Sequence, residues 1–262
     1  MRDGNLSMDG LRRLSEAGLS RFAADVMARV AARGSAGPVA LREPLLASVM
    51  ASVRAQDAHP LDLVLAKFER ARVSTEVLAD HYIPEVARRL GRAWENDTAS
   101  FAEVSIGSAR LQAHLNELGR SWQADGTDGV GRSTLLLVVP EGEQHTLGAR
   151  VVSGWMRRQG ISVCLRVGPK ATELAALLAQ CRFDAAMISV ACHERLESCT
   201  GLVKTLREET SNGLRIALGG AILGRGEDIE TVAGVDIVTN DLPKAVEALD
   251  LSCKRPLVTV IT

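Results

Sequence analysis

The sequence predicts an all-α half followed by an α/β half with a five-stranded parallel sheet. Residues 8 to about 122 show the spacing of amphipathic helices and no alternation with a period of two. Beyond that half, apolar runs alternate with helical stretches. Between the two, residues 123–131 hold three glycines and two aspartates and little to bury, which is typical of a linker. The predicted parts are a helical bundle or cap domain (1–122), a linker (123–132) and an α/β domain (133–262).

Five helices are predicted in the first half. An apolar stripe from Leu11 to Val30 forms the first, and a Gly- and Pro-containing run ends it. A later helix opens at Ser74, and Pro84, which has no backbone N–H, predicts a kink or break in it. The remaining three begin near Pro44, Leu61 and Ser100.

The second half alternates strands with helices. Strands are predicted near 134–139, 161–166, 184–190, 214–218 and 235–239, and helices near 147–159, 171–181, 195–209, 226–233 and 242–249. Parallel strands need crossover connections, and the connecting helices bury both faces of the sheet. We predict a flavodoxin-like, doubly wound sheet. A β-branched run at 257–261, within the tail 251–262, is not required by this fold.

Composition excludes several classes of protein. With 31 basic and 32 acidic residues the formal charge is -1, so no global field attracts nucleic acid or acidic membranes. The chain has no apolar run of roughly 18 residues and no signal-peptide core at its start, so we expect a cytoplasmic protein without membrane association. Five cysteines without a CxxC pair argue against a disulfide framework, and Cys192-His193 alone offers too few ligands for a closed metal site.

Three motifs follow predicted strands in the second half. Glu143-Gln144-His145-Thr146-Leu147-Gly148 comes after the first strand, Ser189-Val190-Ala191 after the third and Gly219-Gly220 after the fourth. The carboxyl ends of parallel strands share one edge of a sheet, where open α/β folds bind ligands. His145 is therefore a candidate metal ligand at this edge.

This spacing resembles the signature of the B12-binding domain superfamily, an Asp-x-His-x-x-Gly loop followed by Ser-x-Leu and Gly-Gly. The resemblance implies a cobalamin cofactor with His145 as its lower axial cobalt ligand. It also implies that Glu143, which replaces the usual aspartate, orients the second ring nitrogen of His145. Thr146 belongs to the same loop. Ala191 stands where the family has leucine or valine.

The same resemblance implies a buried slot for the nucleotide tail of the cofactor. Ser189 would offer a hydroxyl to the benzimidazole base, and Gly219 and Gly220 would leave room because they have no side chains. Gly148, in the first turn of the following helix, would let the tail pass closely.

The helical half resembles the cap of B12-dependent photoreceptor regulators, which covers the upper cobalt face with a Trp followed by a Glu-His pair. Trp94 matches the tryptophan, but Val104 and Ser105 occupy the places of the Glu-His pair. We therefore expect the aquo or hydroxo form of cobalamin to be favoured over the adenosyl form, with these three residues near the upper face.

Over nearly the whole chain the resemblance is closest to the antirepressors of photosynthesis genes, the AerR/PpaA group. It implies a light-responsive regulator, not an enzyme, that binds a DNA-binding transcriptional repressor. The alternatives are a corrinoid carrier protein of a methyltransferase system and a haem-binding redox or light sensor. There is no strong signature of direct nucleic-acid binding: a small basic cluster at Arg88, Arg89 and Arg92 is interpreted as a solvated helix face.

Overall fold

The computed structural model describes residues 40–54, 61–124, 133–211, 213–225 and 234–252. The described residues from Leu41 onward belong to one compact unit that contains both the helical half and the α/β half. The predicted first helix, the predicted helical stretch 226–233 and the tail from residue 253 lie outside the described residues.

The helical half, as far as it is described, is built from long helices around one apolar core. These are α1 (Glu43–Arg54), α2 (Leu61–Arg70), α3 (Ile83–Glu95) and α4 (Phe101–Ala124), as the sequence predicts. The Phe68 and Tyr82 rings meet edge to face in the core, with their centroids 4.8 Å apart. Leu147 and Val151 of the α/β half pack against the same core, so the two halves share a buried apolar contact.

The discontinuity predicted at Pro84 is a π-helical turn. This turn, Leu78–Tyr82, joins the helical turn Thr75–Val77 to α3. Pro84 lies in the first turn of α3 and has no N–H to donate to the carbonyl of Asp80. The N–H of Ile83 bonds to the carbonyl of Leu78. The chain therefore stays helical through the site of the expected break.

Helix α4 begins at a capping box. The Ser100 hydroxyl accepts the N–H of Glu103 at 3.2 Å, and the Glu103 carboxylate accepts the N–H of Ser100 at 2.7 Å. The helix continues to Ala124 and so includes the first residues of the predicted linker. The rest of that linker lies outside the described residues.

The α/β half contains a five-stranded, all-parallel sheet of order β2-β1-β3-β4-β5, which confirms the predicted fold. The strands are β1 (Thr134–Val139), β2 (Ser162–Val167), β3 (Ala185–Ser189), β4 (Arg215–Gly219) and β5 (Ile237–Val238). Residues 135–139 of β1 are buried, because helices cover both faces of the sheet.

Helices α5 (Leu147–Arg158) and α8 (Leu242–Ala248) pack on one face of the sheet. Helices α6 (Ala171–Gln180) and α7 (Leu196–Glu209) pack on the other. The chain leaves β1 toward β2 but leaves β3 in the opposite direction, toward β4. This reversal opens a crevice at the carboxyl ends of β1 and β3, where doubly wound folds bind ligands.

No helix among the described residues is long and apolar enough to cross a membrane.

Candidate functional site

The loop between β1 and α5 forms one side of this crevice. The N–H of Glu143 bonds to the carbonyl of Pro140 at 3.2 Å, which closes a tight turn. Gly142, inside the turn, has a φ of 77°, a left-handed conformation that glycine adopts without a Cβ clash. The turn returns the chain toward β3, and His145 follows just before α5 begins.

The carboxylate of Glu143 is the anchor of the site. The residue is only 5% exposed. One of its oxygens accepts the N–H of Ala191 at 2.9 Å and that of Cys192 at 3.3 Å, just after β3. The other accepts the N–H of His145 at 2.8 Å and faces Nδ1 of the same residue at 2.7 Å. A single side chain therefore ties the loop after β1 to the loop after β3.

These hydrogen bonds set the charge of Glu143. Burial acts to raise its pKa, but donation from the backbone of His145 and Ala191 and from the His145 ring outweighs burial, so the pKa is lowered. An ionised carboxylate only accepts hydrogen bonds. In a neutral His145 the proton therefore lies on Nδ1, and Nε2 carries the lone pair.

The ring of His145 projects into solvent, with 64% of its side chain exposed. Its Nε2 has no hydrogen-bond partner among the residues that the structure describes. A histidine held at Nδ1 by a carboxylate, with Nε2 free, has the arrangement common to metal-ligating imidazoles. The geometry fits the role predicted for His145 and the orienting role predicted for Glu143.

Ser189, Gly219 and Gly220 lie together at the same edge. Ser189 pairs with Gly219 in the register of β3 and β4. The Ser189 side chain is partly exposed and has no hydrogen-bond partner in the described part of the chain. It is thus available to a ligand in the crevice.

Packing within the protein also explains why Gly219 and Gly220 are glycines. A Cβ at Gly220, whose φ is 121°, would lie 2.0 Å from the carbonyl oxygen of Val190. A Cβ at Gly219 would lie 2.8 Å from the carbonyl oxygen of Thr239. Packing of the chain thus demands glycine at both positions, whether or not a nucleotide tail passes there.

Gly148 differs from that pair. It lies in the first turn of α5 and is exposed, and a Cβ built there would meet nothing within 4 Å. The described chain gives no steric reason for glycine at this position. Space beside Gly148 is what close passage of a ligand would require.

Sequence reasoning missed the part of Cys192 in this site. Its Sγ lies 3.5 Å from Nδ1 of His145, and these atoms and the Glu143 carboxylate fall within 4.8 Å of one another. The pairing that the sequence suggested, Cys192 with His193, is therefore not the one that the fold assembles around Glu143. The argument that placed Ser189 at the ligand-binding edge could also have identified Cys192, because Cys192 follows the same strand, β3. Because both Glu143 oxygens already accept backbone N–H groups, orientation of His145 is the better-supported use of this cluster.

The residues predicted near the upper face lie on α3 and α4. Trp94 is 52% exposed and Phe101, across the following turn, is 73% exposed. Val104 packs partly against the core of the bundle, whereas Ser105 is exposed. Trp94 and Ser105 are thus accessible to a ligand, while Val104 contributes to the bundle.

Gln112 connects α4 to the loop that carries His145 between β1 and α5, residues 140–146, which we call the histidine loop. The sequence did not identify Gln112. Its Nε2 donates to the Thr146 hydroxyl at 3.2 Å. One turn further, Arg150 donates to Asn116 at 3.3 Å. No local signal marks Gln112, because its partner is distant in sequence.

The arginines of the basic cluster on α3 form ion pairs with nearby glutamates. Arg88, Arg89 and Arg92 all contact the carboxylate of Glu85, and Arg89 also pairs with Glu43. This network supports the interpretation of the cluster as a solvated helix face.

Comparison with known proteins identifies the family. The chain is 43% identical over 191 residues to the "Uncharacterized 20.5 kDa protein in bchF-crtJ intergenic region" of Rhodobacter capsulatus. The match covers 73% of this chain and 100% of that protein. The chain belongs to the family of that protein. No protein-family model matches the sequence.

A solved structure shares the fold. The monomethylamine corrinoid protein of Methanosarcina barkeri superimposes with a TM-score of 0.63 at 13% identity. The match covers 80% of this chain and 99% of that chain. The helical half and the five-stranded α/β half are thus an architecture that this corrinoid protein also has.

Proposed function

We propose that this protein is a light-responsive, cobalamin-binding regulator that binds a DNA-binding repressor of photosynthesis genes and modulates it. The observation that carries the proposal is the Glu143–His145 pair at the carboxyl edge of the sheet. It holds Nδ1 of His145 at the carboxylate, so that the unprotonated Nε2 is presented to the crevice. The protein acts in this proposal by binding and is not an enzyme.

The residues at the edge fit a corrinoid better than a simple metal ion. His145 offers one nitrogen, which suits a metal whose other ligands come with its own ring. Ser189 offers an uncommitted hydroxyl, and Gly148 leaves open space at the start of α5. Bound cobalamin would supply a cobalt centre with an upper ligand that light can exchange.

The residues expected near the upper face of the cofactor support a small upper ligand. Ser105 is exposed and short, and Val104 is directed partly into the bundle core. Neither offers the charged and imidazole groups of the Glu-His pair in the photoreceptor regulators. We therefore propose that aquo- or hydroxocobalamin is preferred over adenosylcobalamin.

The regulatory role is supported by the relative from Rhodobacter capsulatus. That protein is encoded between bchF and crtJ, in a photosynthesis-gene region. The bundle is the part best placed to meet a protein partner, because hydrogen bonds from Gln112 and Arg150 tie α4 to the histidine loop and to α5. A change in the packing of α4 is thereby linked to the site.

A corrinoid carrier of a methyltransferase system is the second candidate. The shared fold of the monomethylamine corrinoid protein favours it. A haem sensor is less well supported, because haem has no nucleotide tail and leaves Ser189 and Gly148 without a ligand contact.

Absorption spectra of the purified full chain test the proposal directly. The protein is mixed with aquo-, adenosyl- or methylcobalamin or with haem, and spectra are recorded in the dark and after illumination. Retention of cobalamin, a light-dependent spectral change and light-dependent co-purification of a DNA-binding repressor are expected. Turnover of a methyl donor with a supplied methyltransferase, and no effect on a repressor, would instead establish the carrier function.

A further inference from the structure

A cavity lies between α4 of the helical half and α5 of the α/β half, and none of residues 140–146 lines it. Its volume is about 230 Å³. Helix α4 lines one side with Leu115, Asn116, Gly119 and Trp122, and α5 lines the other between Arg150 and Arg158. None of the residues assigned to cobalamin in this protein lines it. The cavity is therefore a separate place for a ligand.

Three residues that line this cavity each carry a buried polar atom without a hydrogen-bond partner in the described part of the chain. Ser153 is only 3% exposed, and its hydroxyl forms no hydrogen bond with any described residue. Nε of Arg150 and Nη1 of Arg158 are also buried atoms without a hydrogen-bond partner among the described residues. Buried polar groups are nearly always hydrogen-bonded, because leaving one without a partner destabilises the folded protein. A ligand that enters the cavity and accepts these hydrogen bonds would remove that penalty.

Their chemistry specifies the ligand. Guanidinium nitrogens only donate hydrogen bonds, and a hydroxyl can donate as well. A complementary group must therefore present several acceptors close together. Carboxylates and phosphates do this, and they pair with arginine through two parallel hydrogen bonds.

The charge around the cavity also favours a negatively charged ligand. Arg158 pairs with Asp80 and stacks on the Trp122 ring, with its Cζ atom 4.1 Å from the ring centroid, so its position is fixed. Arg150 and Arg157 also line the cavity, and neither forms an ion pair with a described acidic residue. No acidic residue lines the cavity itself. A negative ligand would offset this excess of positive charge.

We propose that this cavity binds a small oxyanion, a carboxylate or a phosphate, held by Arg150, Ser153 and Arg158. Such a ligand would contact α5 directly and would fill the space against α4. It would therefore stabilise the contact between the bundle and the α/β half. The same contact includes the hydrogen bond between Gln112 and Thr146 of the histidine loop. The anion would therefore affect the packing of α4 in addition to any effect of the cofactor.

The test uses the full chain without cobalamin, so its result does not depend on the proposed cofactor. Inorganic phosphate and succinate are titrated at constant ionic strength, with chloride as the reference anion, and heat of binding and melting temperature are measured. At a hundred times Kd, a bound oxyanion raises the melting temperature by roughly 5–10 °C over chloride. A response to phosphate alone, succinate alone or both assigns the chemical source.

Two variants locate the site. Ser153→Ala removes a hydroxyl that bonds to no described residue, so the fold is expected to stay as stable as wild type while oxyanion binding weakens about tenfold. Arg150→Gln is expected to weaken binding at least as much. Arg182→Gln, at an exposed position outside the cavity, is the matched control and should bind like wild type. The proposal is overturned if neither oxyanion exceeds chloride, which would mean that the cavity holds only water, or if both variants bind like wild type.

Discussion

Gln112 of α4 donates a hydrogen bond to the hydroxyl of Thr146 at 3.2 Å, which joins the helical half to the residue directly after His145. The bond crosses between the two halves at the point closest in sequence to the proposed axial ligand. The bond is thus a direct contact through which a shift of α4 would reach the histidine loop. This relation makes it possible to separate ligand binding from signalling by mutation.

Replacing Gln112 with Leu should uncouple the two halves. The substitution keeps the size of the side chain but removes the donor to Thr146, while His145 and Glu143 are untouched. We expect cobalamin to be retained, and association with the repressor to become the same in the dark and in the light. Pull-down assays under both conditions measure this, with Gln180→Leu, on the exposed end of α6, as control. A normal light response in Gln112→Leu would argue against transmission through this bond.

Replacing His145 with Ala should abolish retention of cobalamin or give a spectrum without a protein imidazole. The His145 side chain is 64% exposed, so its loss should change the free energy of unfolding little. His193→Ala, at an exposed position after β3, provides the control. An unchanged spectrum together with unchanged affinity would remove His145 from the axial position.

Replacing Glu143 with Gln should reduce stability and its dependence on pH. The pKa of Glu143 is lowered in the folded protein, so its ionised form stabilises the fold above the ordinary glutamate pKa. That contribution is lost as the pH falls through the lowered value. The variant should unfold more easily at neutral pH, by about 1–3 kcal/mol, because one oxygen acceptor becomes an N–H donor facing backbone donors.

Urea unfolding of wild type and Glu143→Gln at a series of pH values measures this difference. The two curves should converge in acid, where the wild-type carboxyl is protonated. Glu194→Gln, at an exposed position nearby, is the control and should follow wild type throughout. Curves that stay parallel down to low pH would show that ionisation of Glu143 does not contribute to stability.

Replacing Gly148 with Leu should exclude the nucleotide tail while leaving the fold intact. The open space around Gly148 means that the chain itself tolerates a side chain, and loss of a helical glycine favours the helix by up to about 1 kcal/mol. Gly219→Leu is a poorer test, because its Cβ would collide with the carbonyl of Thr239. We expect weaker binding of intact cobalamin and unchanged binding of a corrinoid that lacks the tail.

Gly201→Leu is the matched control for Gly148→Leu. Gly201 is also helical and exposed, its Cβ would meet nothing within 4 Å, and it lies on α7 on the opposite face of the sheet. Equilibrium titrations with both corrinoids measure the difference. If Gly148→Leu and Gly201→Leu bind intact cobalamin equally well, the tail does not pass along α5.

Aquocobalamin should bind more tightly than adenosylcobalamin. Ser105 and Val104 stand where the photoreceptor regulators have the Glu-His pair. Ser105 is exposed, and the Val104 side chain packs partly against the bundle core. Titration of the apoprotein with each form in the dark measures the ratio of the two dissociation constants. Equal affinities, or tighter binding of the adenosyl form, would contradict the inference from these two positions.

The sequence determined the parts of this fold that depend on local patterns. Helical periodicity located α1, α2 and α4, and apolar runs located β1, β2, β3 and β4. The discontinuity at Pro84 also follows from chemistry, because proline cannot donate a backbone hydrogen bond. Its form is a π-helical turn and not a break, with Tyr82 and Ile83 buried in the bundle core, and the sequence pattern alone did not specify that form.

Only the tertiary structure decided how the site is held together. The sequence placed His145, Ser189 and Gly219 at one edge, because parallel strands share that edge. It did not reveal that the buried carboxylate of Glu143 accepts hydrogen bonds from the chain after β3, that Gln112 reaches Thr146, or that Ser153 faces a cavity beside two arginines. These contacts join residues 34 to 48 positions apart or depend on the approach of separate elements. Periodicity and motif spacing report which face or edge a residue occupies, whereas the partner that it meets there depends on how the elements pack.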